Sequence, residues 1–146
     1  MSIWITTYTP DYINQIHKMA MPGQIGIAII EIGDDYLMGE MPIDHRTVQP
    51  FRMMHGGASA TLAETLGSVG ALMMVDTEQK HCVGLSLNVS HIRGVAEGGK
   101  VVGVARPFHV GRTTQVWDVQ ITDEREKLIT VARLTMAVID NPKSGQ

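Results

Sequence analysis

Hydrophobic residues recur with two different periods along the chain, which predicts one long helix and several strands. Within residues 56–75, Leu62, Leu66, Val69 and Met73 follow the spacing i, i+4, i+7 and i+11. This spacing places the four side chains in one stripe along an α-helix, as in a helix that packs on a protein core.

Shorter runs of β-branched and apolar residues predict strands. In one of them Trp117, Val119 and Ile121 alternate with polar neighbours, which is typical of an antiparallel strand with one buried face. The predicted strands span residues 25–32, 36–43, 83–92, 100–106, 115–122 and 128–139.

A short helix is expected before the first strand. Thr9 is its predicted N-cap and Pro10 its first residue. We expect this helix to bury Ile13 and Ile16 and to end near Pro22-Gly23.

Turn residues at positions 33–35, 97–99 and 123–126 predict hairpin connections. The order of elements is then a short helix, two strands, the long helix and four strands. Because no helix separates the last four strands, a parallel doubly wound sheet is disfavoured. We predict an α+β fold in which an antiparallel sheet wraps around one long helix.

Composition and charge narrow the class of protein. The chain has 146 residues, of which 44% are hydrophobic and 18% charged. We therefore expect a single globular domain over residues 1–146, with a loose polar tail from residue 141. The net charge of −3 provides no basic field for a nucleic-acid backbone, so no nucleic-acid partner is expected.

Three further features predict a cytoplasmic protein. The single cysteine, Cys82, excludes an internal disulfide and fits a reducing compartment. The N-terminus lacks the basic and apolar segments of a signal peptide. The longest apolar stretch, around residues 69–75, is far shorter than the roughly 20 residues that a membrane helix needs, so no membrane partner is expected.

The face of the long helix opposite the apolar stripe has an unusual composition. A solvated face would carry several charged residues, but this one carries small residues and a single carboxylate, Glu64, with Ser68 one turn further on. We expect another element to cover this face and to leave Glu64 in a confined, partly dry place, where a carboxylate becomes a better base. The residues of this face are Gly57, Ala60, Thr61, Glu64, Ser68 and Ala71.

Two glycines stand where the chain enters this helix. Gly56 and Gly57 leave the first backbone N–H groups unobstructed at the positive end of the helix dipole. Such an N–H could stabilise the oxyanion of acyl transfer, and Gln49 and His55 could hydrogen-bond the same acyl group. From these residues alone two interpretations remain open: a hydrolytic site without a metal, or a simple helix entry with a capping histidine and an exposed Glu64.

The run from His55 to Ser68 resembles the signature of hotdog-fold acyl-CoA thioesterases of the phenylacetate and 4-hydroxybenzoyl-CoA type. The similarity extends from about Gly26 to Val138 and includes Gln49-Pro-Phe, residues 87–93 and residues 109–112. It is greatest to the bacterial thioesterases that hydrolyse 1,4-dihydroxy-2-naphthoyl-CoA in menaquinone synthesis. The resemblance implies a hotdog fold, an aromatic acyl-CoA substrate and a homo-oligomer, a dimer of dimers, with active sites at the dimer interface. The six histidines are scattered, with no HExxH or CxxC pairing, and no GxGxxG follows a strand, so neither a metal nor a cofactor is expected.

The resemblance also implies roles for individual residues. Glu64 would be the nucleophile or general base, Gly56 would supply the oxyanion N–H, and Ser68 would help to place the water. Gln49 and His55 would contact the thioester acyl group. The implied substrate and coenzyme contacts are Gly84, His91, Ile92, Arg93, Gly94, His109, Val110, Gly111, Arg112, Thr113 and Thr114.

The coenzyme contacts can also be examined from their chemistry. Coenzyme A carries phosphates that favour arginine side chains near glycine, which suits Arg93 and Arg112; surface ion pairs would explain the same arginines. Gly94 stands where relatives commonly have proline, and the loop at residues 97–99 is one residue longer than theirs.

Other functions remain as alternatives. A broad-specificity thioesterase for phenylacetyl, hydroxybenzoyl or medium-chain acyl groups is one, since an apolar pocket of Phe51, Met53, Met54 and Leu72 discriminates weakly. A non-catalytic acyl-CoA-binding module is another, because a fold does not dictate function. An enoyl-CoA hydratase is the third.

Overall fold

The structure is a computed structural model that describes residues 1–143. In this range the chain forms an antiparallel sheet with one long helix against it, which confirms the predicted α+β class. The elements are α1 (Pro10–His17), α2 (Met21–Gln24), β1 (Ala28–Ile32), β2 (Leu37–Pro42), α3 (Gly56–Met73), β3 (Lys80–His91), β4 (Lys100–Val110), β5 (Thr114–Thr122) and β6 (Leu128–Asp140).

The strands lie in the order β1-β2-β4-β5-β6-β3, and every neighbouring pair is antiparallel. The hairpins predicted at residues 33–35 and 123–126 are confirmed, because β1 pairs with β2 and β5 with β6. The hairpin predicted at residues 97–99 is wrong, since β3 pairs with β6 and not with β4. β3 therefore lies at one edge of the described sheet.

The connection from β3 to β4 crosses the end of the sheet. The backbone of Gly98 donates to the carbonyl of Ile43 at 2.8 Å, and the Ile43 amide donates to Gly99 at 3.0 Å. Gly98 and Gly99 have φ angles of 110° and 68°, a left-handed conformation that glycine adopts readily. Gly98 and Gly99 therefore turn the chain, but they pack on the loop after β2 and do not join two paired strands.

The predicted stripe of α3 forms the centre of the core. Leu62, Leu66 and Met73 are 0% exposed and Val69 is 9% exposed. Trp117 of β5 is fully buried beneath the helix. The alternation of the sequence thus decided which faces of helix and strand meet.

The N-terminal helix is shorter than predicted. Thr9 is its N-cap, as predicted, and its hydroxyl accepts from the amide of Tyr12 at 3.2 Å. Ile13 is buried, but the prediction for Ile16 is wrong, because its side chain is 54% exposed. The Asn14 side chain hydrogen-bonds both backbone groups of Ile29, so α1 packs mainly on the edge strand β1 and buries a narrow face.

Strand ends also differ from the prediction. β1 begins at Ala28, because Gly26 has a φ of 84° and the amide of Ile27 bonds to the carbonyl of Pro22. β4 continues past Pro107, where a shift of register accommodates the proline.

The C-terminal end of the described chain is held on β3 and on the turn that precedes it. The Asn141 side chain bonds to His81 at 2.8 Å and to the carbonyl of Thr77 at 3.1 Å. Of the predicted loose tail, residues 144–146 lie outside the described residues. Among residues 1–143, no helix has both the length and the apolar character needed to cross a membrane.

Candidate active site

The N-terminus of α3 leaves one backbone donor open. His55 is the N-cap, and its Nδ1 accepts from the amide of Gly57 at 2.8 Å while its carbonyl accepts from Ala58 at 2.9 Å. The amide of Gly56 has no hydrogen-bond partner within residues 1–143. An unused N–H at the positive end of an 18-residue helix is suited to bind a negative oxygen.

Two side chains near this N–H also present donors. Because Nδ1 of His55 accepts a hydrogen bond, the neutral ring carries its proton on Nε2. The side-chain oxygen of Gln49 accepts from the amide of Phe51, which leaves its NH₂ group as a donor. Gln49, His55 and Gly56 are therefore all suited to a carbonyl oxygen.

A cavity of about 300 Å³ adjoins Gly56. A Cβ on Gly56 would lie 2.8 Å from Nε2 of His91, so glycine is needed for this ring to pack on the helix entry. The cavity brings together six of the residues predicted for the site, with Met54 of the predicted apolar pocket. Its lining is Gln49, Met54, Gly56, His91, Ile92, Arg93, Gly94, Val95 and Thr130.

Glu64 lies in a different cavity, of about 350 Å³. Its carboxylate is half-buried and makes no hydrogen bond or ion pair with any described residue. A Cβ on Gly84 would lie 2.5 Å from Oε1 of Glu64, so glycine on β3 leaves room for the carboxylate. The other lining residues are mainly apolar: Met21, Pro22, Ala60, Thr61, Thr65 and Leu87.

Ser68 follows Glu64 by one helical turn, as predicted from the spacing. Its hydroxyl lies 3.9 Å from the sulfur of Met136, which is a weak contact. The hydroxyl is half-buried and stays on the same side of α3 as Glu64.

The two cavities lie at different places along α3 of one chain. Gly56 and Glu64 are eight residues apart on α3, a rise of about 12 Å. An oxyanion donor and a nucleophile must both lie within about 3 Å of the reacting group. One chain thus provides the donors at one place and the carboxylate at another.

The second predicted coenzyme segment, residues 109–114, lies at the other end of the sheet. His91 pairs with Thr130, whereas Thr114 pairs with Ala137 on the same strand β6. These positions on β6 are seven residues apart, or about 23 Å. Within residues 1–143 neither Arg93 nor Arg112 forms an ion pair, so the ion-pair interpretation of both arginines is wrong there.

Sequence reasoning missed the contribution of α2. Met21 and Pro22 line the cavity at Glu64, but no periodicity marks a four-residue helix or tells what it covers. Phe51, predicted to line the acyl pocket, is 87% exposed in the single chain. The next residue, Arg52, has a φ of 62° and pairs with Glu97.

Neither the cysteine nor a cluster of metal-ligating side chains indicates a second catalytic site in the described residues. The Cys82 thiol donates to the carbonyl of Ala71 at 3.4 Å, and burial raises its pKa, which disfavours the thiolate. In the described part of the chain, no three His, Cys, Asp or Glu side chains are grouped as a metal ion would require.

Comparison with known proteins bears on the fold and the enzyme class. The chain is 43% identical to the 1,4-dihydroxy-2-naphthoyl-CoA hydrolase of Escherichia coli, over 94% of this chain and 99% of that protein. A solved mutant thioesterase of Pseudomonas aeruginosa superposes with a TM-score of 0.93 at 43% identity, covering 96% of this chain and 100% of the other. A solved Haemophilus influenzae thioesterase superposes with a TM-score of 0.93 at 40% identity, with 99% of each chain covered.

The fold and the enzyme class follow from these likenesses. The predicted hotdog fold is confirmed, since these thioesterases share the sheet and the long central helix over nearly the whole chain. The family model for the thioesterase superfamily matches residues 51–130, which include α3 and β3, two elements that line both cavities. The chain is a thioester hydrolase and belongs to the thioesterase superfamily.

Proposed function

We propose that the chain hydrolyses an aromatic acyl-CoA, 1,4-dihydroxy-2-naphthoyl-CoA of menaquinone synthesis, to the free acid and coenzyme A. One observation carries the chemistry: an unpaired carboxylate, Glu64, lies in a mainly apolar cavity on the helix whose first N–H is unused. The identity of 43% to an enzyme of that name supports the acyl group.

The donors at the helix entry suit the carbonyl of the thioester. The amide of Gly56, aided by Gln49 and His55, would hold the oxygen as it becomes negative in the tetrahedral intermediate. Because the three donors are held by the cap and by the loop before it, they need little rearrangement when the charge develops.

Glu64 would act on the carbonyl carbon in one of two ways. As a nucleophile, its oxygen bonds to the carbon and expels the coenzyme thiolate, and water then cleaves the resulting anhydride. As a base, it takes a proton from a water that attacks directly, and Ser68 helps to hold that water. Both routes yield one acid and one thiol.

We infer that each site is built by two chains, with Glu64 from one and Gln49, His55 and Gly56 from the other. The distance of about 12 Å along α3 prevents one chain from doing both. β3 is an edge strand that exposes Val83 and Leu85, at 39% and 62%, and such an edge invites pairing with a second copy.

A twofold axis beside β3 would bring Glu64 of one chain close to the donors of the other. Two copies of β3 would run antiparallel, and so would the two α3 helices behind them. The entry of one helix then lies toward Glu64 of the other. The same operation brings residues 109–114 of one chain toward His91 and Arg93 of the other, and pairs of such dimers would form the tetramer.

Mixed dimers test the shared site. Coexpression of Glu64→Gln with Gln49→Ala would leave one intact site in each mixed dimer, so an equal mixture should regain about a quarter of wild-type activity. Each variant alone should be at least about a hundredfold slower. If both groups came from one chain, the mixture would be no faster than its parents.

Sedimentation at assay concentration is the companion measurement. We expect a dimer or tetramer, with no activity in a species of the 16.0 kDa chain mass. An active monomer would contradict the shared site.

A substrate panel tests the acyl group. We expect kcat/KM to be highest for 1,4-dihydroxy-2-naphthoyl-CoA among that thioester, 4-hydroxybenzoyl-CoA, phenylacetyl-CoA and a medium-chain acyl-CoA. The flexible Met21 in the cavity favours broad specificity as the second candidate. A tenfold preference for the medium chain, about 1.4 kcal/mol, would overturn the menaquinone assignment and leave the thioesterase activity standing.

A further inference from the structure

The short helix α2 forms one wall of the cavity that contains Glu64. Met21 and Pro22 face Ala60 of α3 and Leu87 of β3 across this space. Glu64 is the one charged group in the lining, so the cavity is an apolar space with a carboxylate at its edge. The fold thus places a segment far from the thioesterase motif beside the proposed nucleophile or base.

The backbone of α2 is held in place from both sides. A Cβ on Gly23 would lie 2.3 Å from the carbonyl oxygen of His17, so α2 packs closely on the end of α1. The Gln24 side chain donates to the carbonyl of Lys18 at 3.2 Å, and the amide of Ile27 donates to Pro22 at 2.9 Å. The wall therefore has a fixed position, while the unbranched Met21 side chain can adapt.

We propose that this cavity takes the acyl group of the substrate and that Met21 determines which acyl groups fit. The inference rests on the proposed function, in which Glu64 acts on the thioester carbonyl. A carbonyl within about 3 Å of Glu64 must have its acyl substituent beginning in the space next to that carboxylate. The apolar lining and the volume of about 350 Å³ suit a ring or a hydrocarbon chain and disfavour the charged coenzyme.

The expected effect of Met21 follows from the size of the pocket. Apolar pockets discriminate by about 10- to 200-fold for each methylene group of substrate. Met21→Ala removes three heavy atoms from the wall and should raise kcat/KM for a long or bulky acyl-CoA relative to phenylacetyl-CoA by about tenfold or more. Met21→Trp should shift the same ratio the other way.

Two features make the comparison interpretable. Met21 is 62% exposed, so its replacement by alanine should leave the fold intact. Met19 is 84% exposed in the same segment and does not line the cavity, so Met19→Ala is the matched control.

The measurement is kcat/KM over a series of aromatic and straight-chain acyl-CoA substrates for wild type, Met19→Ala, Met21→Ala and Met21→Trp. Opposite shifts in the two Met21 variants, with none in Met19→Ala, would support the acyl pocket. An unchanged ratio in both Met21 variants would overturn it, and so would an equal shift in the control. Retained activity in Glu64→Gln would instead refute the proposed function, so the two failures are distinguishable.

Discussion

Glu64→Gln is expected to lower kcat/KM for acyl-CoA hydrolysis by at least about a hundredfold, with fold and assembly unchanged. The amide keeps the size of the side chain but neither attacks a thioester readily nor removes a proton from water. Glu64 has no ion pair or hydrogen bond in residues 1–143, so its loss breaks no contact that stabilises the fold. Release of the coenzyme thiol, measured over a range of substrate concentrations, gives kcat and KM.

Glu78→Gln is the matched control, because Glu78 is an exposed carboxylate beyond the end of α3. It should behave as wild type. A Glu64→Gln enzyme with wild-type kcat/KM would refute the assigned role and favour binding of acyl-CoA without turnover.

Gly84→Ala on β3 tests whether the position of the Glu64 carboxylate matters. The added Cβ would lie 2.5 Å from Oε1 of Glu64, so the carboxylate must move. We expect kcat to fall more than KM changes, whereas Ser86→Ala on the same strand should leave both unchanged. Equal kcat in the two variants would show that the position of the carboxylate is not critical.

Trp117→Ala is expected to reduce the free energy of unfolding by about 3–5 kcal/mol. The Trp117 ring is fully buried, and a Cβ on Gly70 would lie 2.6 Å from it, so α3 lies directly on the ring. Its Nε1 donates to the side chain of Gln115 at 2.9 Å, and that side chain donates to Ala71 at 3.2 Å. The substitution opens a cavity and leaves a buried acceptor without its donor.

Denaturant unfolding at one fixed protein concentration measures this loss, because assembly makes stability depend on concentration. Trp4→Ala is the comparison: Trp4 stacks on Trp117 with ring centroids 6.2 Å apart but is only half-buried. Trp4→Ala should reduce the free energy of unfolding by less than Trp117→Ala does. An equal cost for both would indicate that the indole under α3 is not the main support of the helix.

Much of the site could be predicted because its residues are close together along the chain. The donors at Gln49, His55 and Gly56 precede or begin one helix, and the position of Glu64 follows from counting turns. The meeting of His91 and Gly56 depends on β3 reaching the helix entry, which the local sequence pattern does not reveal.

The rest required tertiary structure. The partner of β3 could not be deduced, because residues 97–99 have the composition of a hairpin turn but join an edge strand to a central one. Turn residues report the local backbone conformation and not which strands pair across it. The prediction for Ile16 failed for a similar reason, because the local pattern does not show that α1 packs mainly on the edge strand β1 and leaves this side chain exposed.

By itself the sequence determined the strands, the long helix and the contrast between its two faces, because hydrophobic period is a local property of the chain. Only the tertiary structure decided that α2 lies beside Glu64 and that Gln49 and Gly56 line one cavity while Glu64 lines another. The physical reason is that packing depends on which surfaces are left to bury after the local elements form. In this chain those surfaces come from segments 40 or more residues apart, as with Met21 and Glu64.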